Sequence, residues 1–101
     1  MYQKKEMMSG LEEFRATPNA LLVDVRNPSE YDGGHIPGSI NFALSRILQE
    51  AEEAFPDKAR PLFIYCQSGA RSARAGKLLE LLGYASVTDL GGIASYNGPK
   101  E

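Results

Sequence analysis

The chain has one cysteine and no tryptophan among its 101 residues. A lone cysteine excludes an internal disulfide and any zinc site built from several thiolates. No apolar run approaches the ~20 residues that a membrane span needs. Behind the first residues, Met1 to Met8, there is no apolar stretch of the kind a secretory signal carries. Eleven Lys and Arg against thirteen Asp and Glu leave a net charge of −2. No global positive field therefore gathers nucleic acid, and any anion site has to be local. Internal repeats, low-complexity tracts and long linkers are lacking too, and no metal or other cofactor is implied. A solitary thiol suits a reducing compartment, so a cytoplasmic location is expected.

What is present is ordinary for a soluble globular protein: 43% hydrophobic and 24% charged residues. The length fits one domain over residues 1–101, with enough buried surface for a core that needs no disulfide. Ser9-Gly10-Leu11-Glu12 reads as a capping box opening a short helix. Ala20 to Val23, ending in Asp24-Val25-Arg26, reads as a buried parallel strand. Ser39 to Phe42 reads as another. Leu44, Ile47, Leu48, Ala51 and Phe55 share one helical face, which Pro56 stops. Leu62 to Tyr65 is a third strand running into Cys66. Ala75, Leu78, Leu79 and Leu82 mark a second helical face with Gly83 as its C′ residue. Ala85 to Leu90 closes the pattern, followed by a glycine pair and a short helical tail from Ile93 to Tyr96. Strand and helix alternate, which predicts an α/β fold: a small parallel sheet with helices on both faces. Asp24, Arg26, Cys66 and Asp89 then lie at strand ends on one edge, where such sheets bind ligands.

Cys66-Gln67-Ser68-Gly69-Ala70-Arg71-Ser72 joins a buried strand to a helix. The first turn of a helix leaves backbone N–H groups unpaired, and in a tight loop they can cradle an anion. Ser68, Gly69 and Ala70 are small, and Gly69 can take φ > 0. Arg71 adds a fixed charge with a fork of donors, and Ser72 can cap or donate. A helix N-terminus and an arginine beside a thiol favour its thiolate, so Cys66 is the candidate nucleophile and Gln67 to Ser72 the candidate substrate-binding residues. The bland alternative is a small buried hydrophobe. Arg74, one turn on, either helps hold substrate or is a solvated helix residue.

Four segments together resemble the rhodanese family, specifically its single-domain thiosulfate sulfurtransferases. They are Leu22-Val23-Asp24-Val25-Arg26-Asn27-Pro28-Ser29-Glu30-Tyr31, Gly34-His35-Ile36-Pro37-Gly38-Ser39-Ile40-Asn41, Tyr65 to Ala73, and Leu90-Gly91-Gly92-Ile93. The resemblance covers the chain from about Met7 to Pro99. It implies a single rhodanese-like domain and a persulfide carried on Cys66. The amides from Gln67 to Arg71 and the Arg71 side chain would bind a small anionic sulfur donor such as thiosulfate. A thiol or cyanide would be the acceptor, and persulfide-bearing or thioredoxin-like proteins are further candidate partners. Asp24 and Arg26 would be supports at the rim, with Arg26 pairing Glu30, and His35 would organise a turn rather than act as a base. Gln67 stands where the family often has a basic residue, and Tyr96 where it often has tryptophan.

Three other functions fit parts of the pattern. A cysteine-dependent phosphatase of the related fold uses a loop one residue longer than the six from Cys66 to Arg71. A non-catalytic binding or regulatory module would not need the cysteine and arginine together. A redox thiol would form a mixed disulfide with a partner.

Overall fold

The computed structural model describes residues 2–101. Among the described residues five strands form one parallel sheet: β1 (Gln3–Lys4), β2 (Leu21–Asp24), β3 (Ser39–Asn41), β4 (Leu62–Cys66) and β5 (Val87–Gly92), in the order β1-β5-β4-β2-β3. Four α-helices connect them: α1 (Met7–Ala16), α2 (Pro28–Asp32), α3 (Ile47–Ala54) and α4 (Ala70–Leu81). Single 3₁₀ turns lie at Leu44–Arg46 and Ile93–Ser95. The α/β architecture matches the expectation from the sequence.

β4 sits inside the sheet with all five of its residues buried. That explains its unbroken apolar reading, because a central parallel strand is covered on both faces. Its side chains alternate. Leu62, Ile64 and Cys66 join Ile47, Ala51, Ala75 and Leu79 in a core that α3 and α4 cover. Phe63 and Tyr65 join Met7, Leu11, Ile36, Leu90, Ile93 and Tyr96 on the opposite face, beneath α1 and the last 3₁₀ turn. Phe14 of α1 meets Phe63 edge-on at 5.6 Å between ring centroids. Among the described residues no helix is long and apolar enough to cross a membrane.

Local chemistry moves several boundaries. Helix α1 begins at Met7, not after Ser9: the Glu6 carboxylate accepts from the backbone N–H of Met8 (2.7 Å) and Ser9 (3.2 Å). Glu6 thus satisfies the orphan donors that Ser9 was expected to cap, and the earlier start buries Met7 alongside Leu11. Ile47 and Ala51 of α3 and its C-cap Phe55 are buried, but Leu48 is 60% exposed; the chain reaches Ile47 through a 3₁₀ turn, and the apolar face is narrower than its spacing suggests. Helix α4 ends as expected. Gly83 has φ +95°, with Gly83 N donating to Glu80 O and Tyr84 N to Leu79 O, the paired bonds of a Schellman motif. β5 starts at Val87 and runs through Gly91-Gly92, so the glycine pair lies in the strand rather than after it.

Candidate active site

The strand order places the site. From β2 the chain adds β3 on one side, then crosses over to lay β4 on the other side of β2 and β5 beyond it. The loops leaving β2 and β4 therefore diverge, and the crevice at their carboxyl ends is where ligands of open α/β sheets bind. The β2 end carries Asp24 and Arg26, and the β4 end carries Cys66.

Cys66 is the last residue of β4 and pairs with Gly92 across an irregularity in the β4–β5 register. The following loop curls back over it. Gly69 adopts φ +107° as the N-cap of α4, and its N–H donates to the Cys66 Sγ at 3.0 Å. The Ser72 Oγ lies 3.5 Å from the same sulfur and bonds to Gly69 O (3.2 Å) and Gly91 O (3.4 Å). Helical bonding begins with Ala73 N donating to Gly69 O, so Ala70, Arg71 and Ser72 supply first-turn N–H groups without intrahelical acceptors. An N–H aimed at the sulfur stabilises negative charge there. Open space above the sulfur is expected from the chemistry, but Cys66 is only 1% exposed. Close approach of the loop to β5 accounts for the closure. A Cβ on Gly92 would collide with the Gln67 carbonyl oxygen, and Ala94 N donates to that same oxygen.

Two arginines flank the loop, and each is engaged by a carboxylate. Arg71 makes a bidentate pair with Glu30, Nη1 to Oε1 at 2.6 Å and Nη2 to Oε2 at 2.8 Å. The hydrogen-bonded guanidinium pulls the Glu30 pKa down to about 2, and Glu30 in turn raises that of Arg71, to which the nearby Cys66 and Asp24 add. Arg26 does not pair with Glu30, contrary to what the family resemblance implied. It binds Asp24 through Nε and Nη2 (3.0 and 2.8 Å to Oδ2) and reaches Gly34 O and the Gln67 Oε1 (3.2 Å). The reason is local: Asp24 is fully buried two residues away, already accepts Arg26 N, and needs a cation beside it. Glu30 sits at N3 of α2, where it accepts Asn27 N and faces Arg71.

The Gly69 N–H and the Ser72 hydroxyl thus meet the Cys66 sulfur, while Arg71 is held by Glu30 and Gln67 reaches Arg26 and, through it, Asp24. Gln67, Ser68 and Ala70 of the loop are exposed, and Arg74 is exposed further along α4. His35 stacks on Tyr31 at 3.7 Å, its Nδ1 2.9 Å from Tyr31 O, and its backbone pairs with Glu101. Asp89 holds the Gly91 turn by accepting Gly91 N at 2.9 Å. Three contributors were not foreseen. Glu30 is the partner of Arg71, and its signal was present in Asn27-Pro28-Ser29-Glu30, an N-cap, N1 proline and N3 acid. Gly92 admits the loop. Tyr65 binds Ile36 N and the Ser39 hydroxyl, both at 3.1 Å, and so ties the segment after α2 to β4.

This geometry agrees with the comparison to known proteins. The rhodanese-like domain matches residues 7–98, and the chain belongs to that family. It is 41% identical over 101 residues to YqhL of Bacillus subtilis, covering 97% of this chain and 79% of the relative. It is 35% identical over 78 residues to the thiosulfate sulfurtransferase PspE of Escherichia coli, covering 77% of this chain and 75% of the relative. A solved structure described as a rhodanese with anions from E. coli superposes with a TM-score of 0.74 at 33% identity, covering 81% of this chain and 96% of that one.

Proposed function

We propose that the protein is a sulfurtransferase that carries a sulfane sulfur as a persulfide on Cys66. The observation that supports this best is the sulfur's position at the base of a six-residue loop ending in Arg71, with the Gly69 N–H donating to it at 3.0 Å. The thiolate attacks the outer sulfur of the donor. A new S–S bond forms as the donor's own S–S bond breaks, and its electron pair leaves on sulfite from thiosulfate or on a thiolate from a persulfide. The first-turn N–H groups of α4 stabilise the added negative sulfur. A thiol or cyanide then attacks the outer sulfur of the Cys66 persulfide and regenerates the thiolate, a two-step exchange. Asp24 and Arg26 hold Gln67 and the β2 end in place, and His35 organises its turn with Tyr31. Thiosulfate sulfurtransferase relatives support sulfur-donor substrates of this class. The six-residue loop favours sulfur over phosphoryl transfer.

Intact mass spectrometry tests the reading. After exposure to thiosulfate or an alkyl persulfide, the wild type should gain one sulfur atom that cyanide removes, and Cys66→Ser should gain none. A wild-type mass unchanged by both donors would end the proposal.

A further inference from the structure

The positive charge around the sulfur is already balanced. Arg71 is held by both Glu30 oxygens, and Arg26 by Asp24. Gln67, the residue directly after the cysteine, is neutral, and its Oε1 is engaged by Arg26. The polar group it can offer an incoming molecule is its uncharged amide NH₂. Arg74, one helical turn beyond Arg71, is exposed to solvent and lies outside the six-residue loop. The buried Asp89 carboxyl on β5 supplies no positive charge. The backbone N–H groups are partial charges and serve any donor alike.

From this charge balance we infer that the site selects alkyl persulfides over dianionic thiosulfate as sulfur donor, with Gln67 and the Glu30–Arg71 pair setting the preference. The inference rests on the proposed sulfurtransferase function and narrows its substrate class. Thiosulfate brings two negative charges to a thiolate, and no uncompensated cation of the loop meets them. An alkyl persulfide, R–S–SH or its monoanion, brings at most one. Its outer sulfur bonds to Cys66, the donor S–S bond breaks, and its electron pair leaves on RS⁻. The reaction requires no oxidant or reductant, and the transferred sulfur is stabilised by the same N–H groups.

Charge at the mouth of the loop should therefore move the donor ratio. A unit charge within several ångströms of a reacting atom, at intermediate dielectric, changes a rate or equilibrium by roughly tenfold. The experiment measures kcat/KM for three donors: thiosulfate, cysteine persulfide and a persulfidated unstructured peptide. It uses the wild type, Gln67→Arg, Gln67→Met and Glu30→Gln. Wild type should favour both persulfides. The thiosulfate-to-persulfide ratio should rise about tenfold in Gln67→Arg and in Glu30→Gln, which leaves Arg71 uncompensated. It should stay unchanged in Gln67→Met, which removes the Arg26 tether without adding charge. Preference for either persulfide over the other identifies the carrier and supports the shared chemistry. Wild-type preference for thiosulfate, a ratio that charge does not move, or an equal rise in Gln67→Met would overturn the inference. If no donor transfers sulfur to Cys66, the proposed function itself falls.

Discussion

At the scale of residues, the site is held by two ion pairs of different character. Asp24 and Arg26 are both buried, so removing one partner strands the other's charge. Asp24→Ala should destabilise the protein by about 3–5 kcal/mol, read from urea unfolding. A loss under about 1 kcal/mol would mean that Arg26 finds another acceptor. Glu30 and Arg71 are each about one-third exposed, and water screens their pair to a contribution on the order of 1 kcal/mol. Its sign with pH follows from the carboxylate. Folding lowers the Glu30 pKa from 4.5 to about 2, so the pair's contribution is complete above the unfolded value and is lost as pH falls through the folded one. Unfolding at pH 6 and pH 3 should show a stability difference between wild type and Glu30→Gln that shrinks in acid; a constant difference would rule out this linkage. The partners of these arginines were only half legible in the sequence. Arg71 was recognisable as the loop's closing charge, but Asp24 and Glu30 are both acids near Arg26 in the chain. Only the turn after β2 decides which one the guanidinium reaches.

At the scale of elements, the loop after β4 depends on glycines for two separate reasons. Gly92 has an extended φ of −108°, but a side chain there would meet the Gln67 carbonyl, which is backbone and cannot swing away. Gly91 has φ +81° with open space around the would-be Cβ. Gly92→Ala should therefore push the loop from β5, costing about 1–3 kcal/mol and slowing sulfur uptake by Cys66. Gly91→Ala should cost about 1–2 kcal/mol through backbone strain, with a smaller effect on uptake. Equal effects on uptake would show that strand geometry, not loop packing, is what matters. Elements with a buried face were legible: β4, α4 and the Gly83 stop follow directly from apolar spacing. β1 was not, because its two residues are exposed and polar. Helix α2 was not, because none of its five residues is buried and only its capping signals mark it. The residues that hold Arg71 and shape the crevice thus lie on an element that hydrophobic periodicity cannot detect.

At the scale of the whole molecule, the site joins the most and the least embedded parts of the fold. Cys66 ends a strand buried on both faces, whereas its loop is tied by Arg71 to α2, which buries no residue. Local stability follows buried contact, so β4 should open only with global unfolding and α2 by small local fluctuations. Reaching a sulfur in a residue 1% exposed then requires the loop to open without unfolding the sheet. Two measurements on the same protein separate these motions. Exchange of the Ile64 amide should fall under the full urea dependence of global unfolding. Alkylation of Cys66 by iodoacetamide should be faster than that equilibrium allows and nearly independent of low urea. Glu30→Gln should speed alkylation several-fold while leaving its urea slope flat, because the pair restrains the loop and not the sheet. If alkylation instead tracks Ile64 exchange at every urea concentration, the loop does not open on its own, and a donor could reach the thiol only in the unfolded chain.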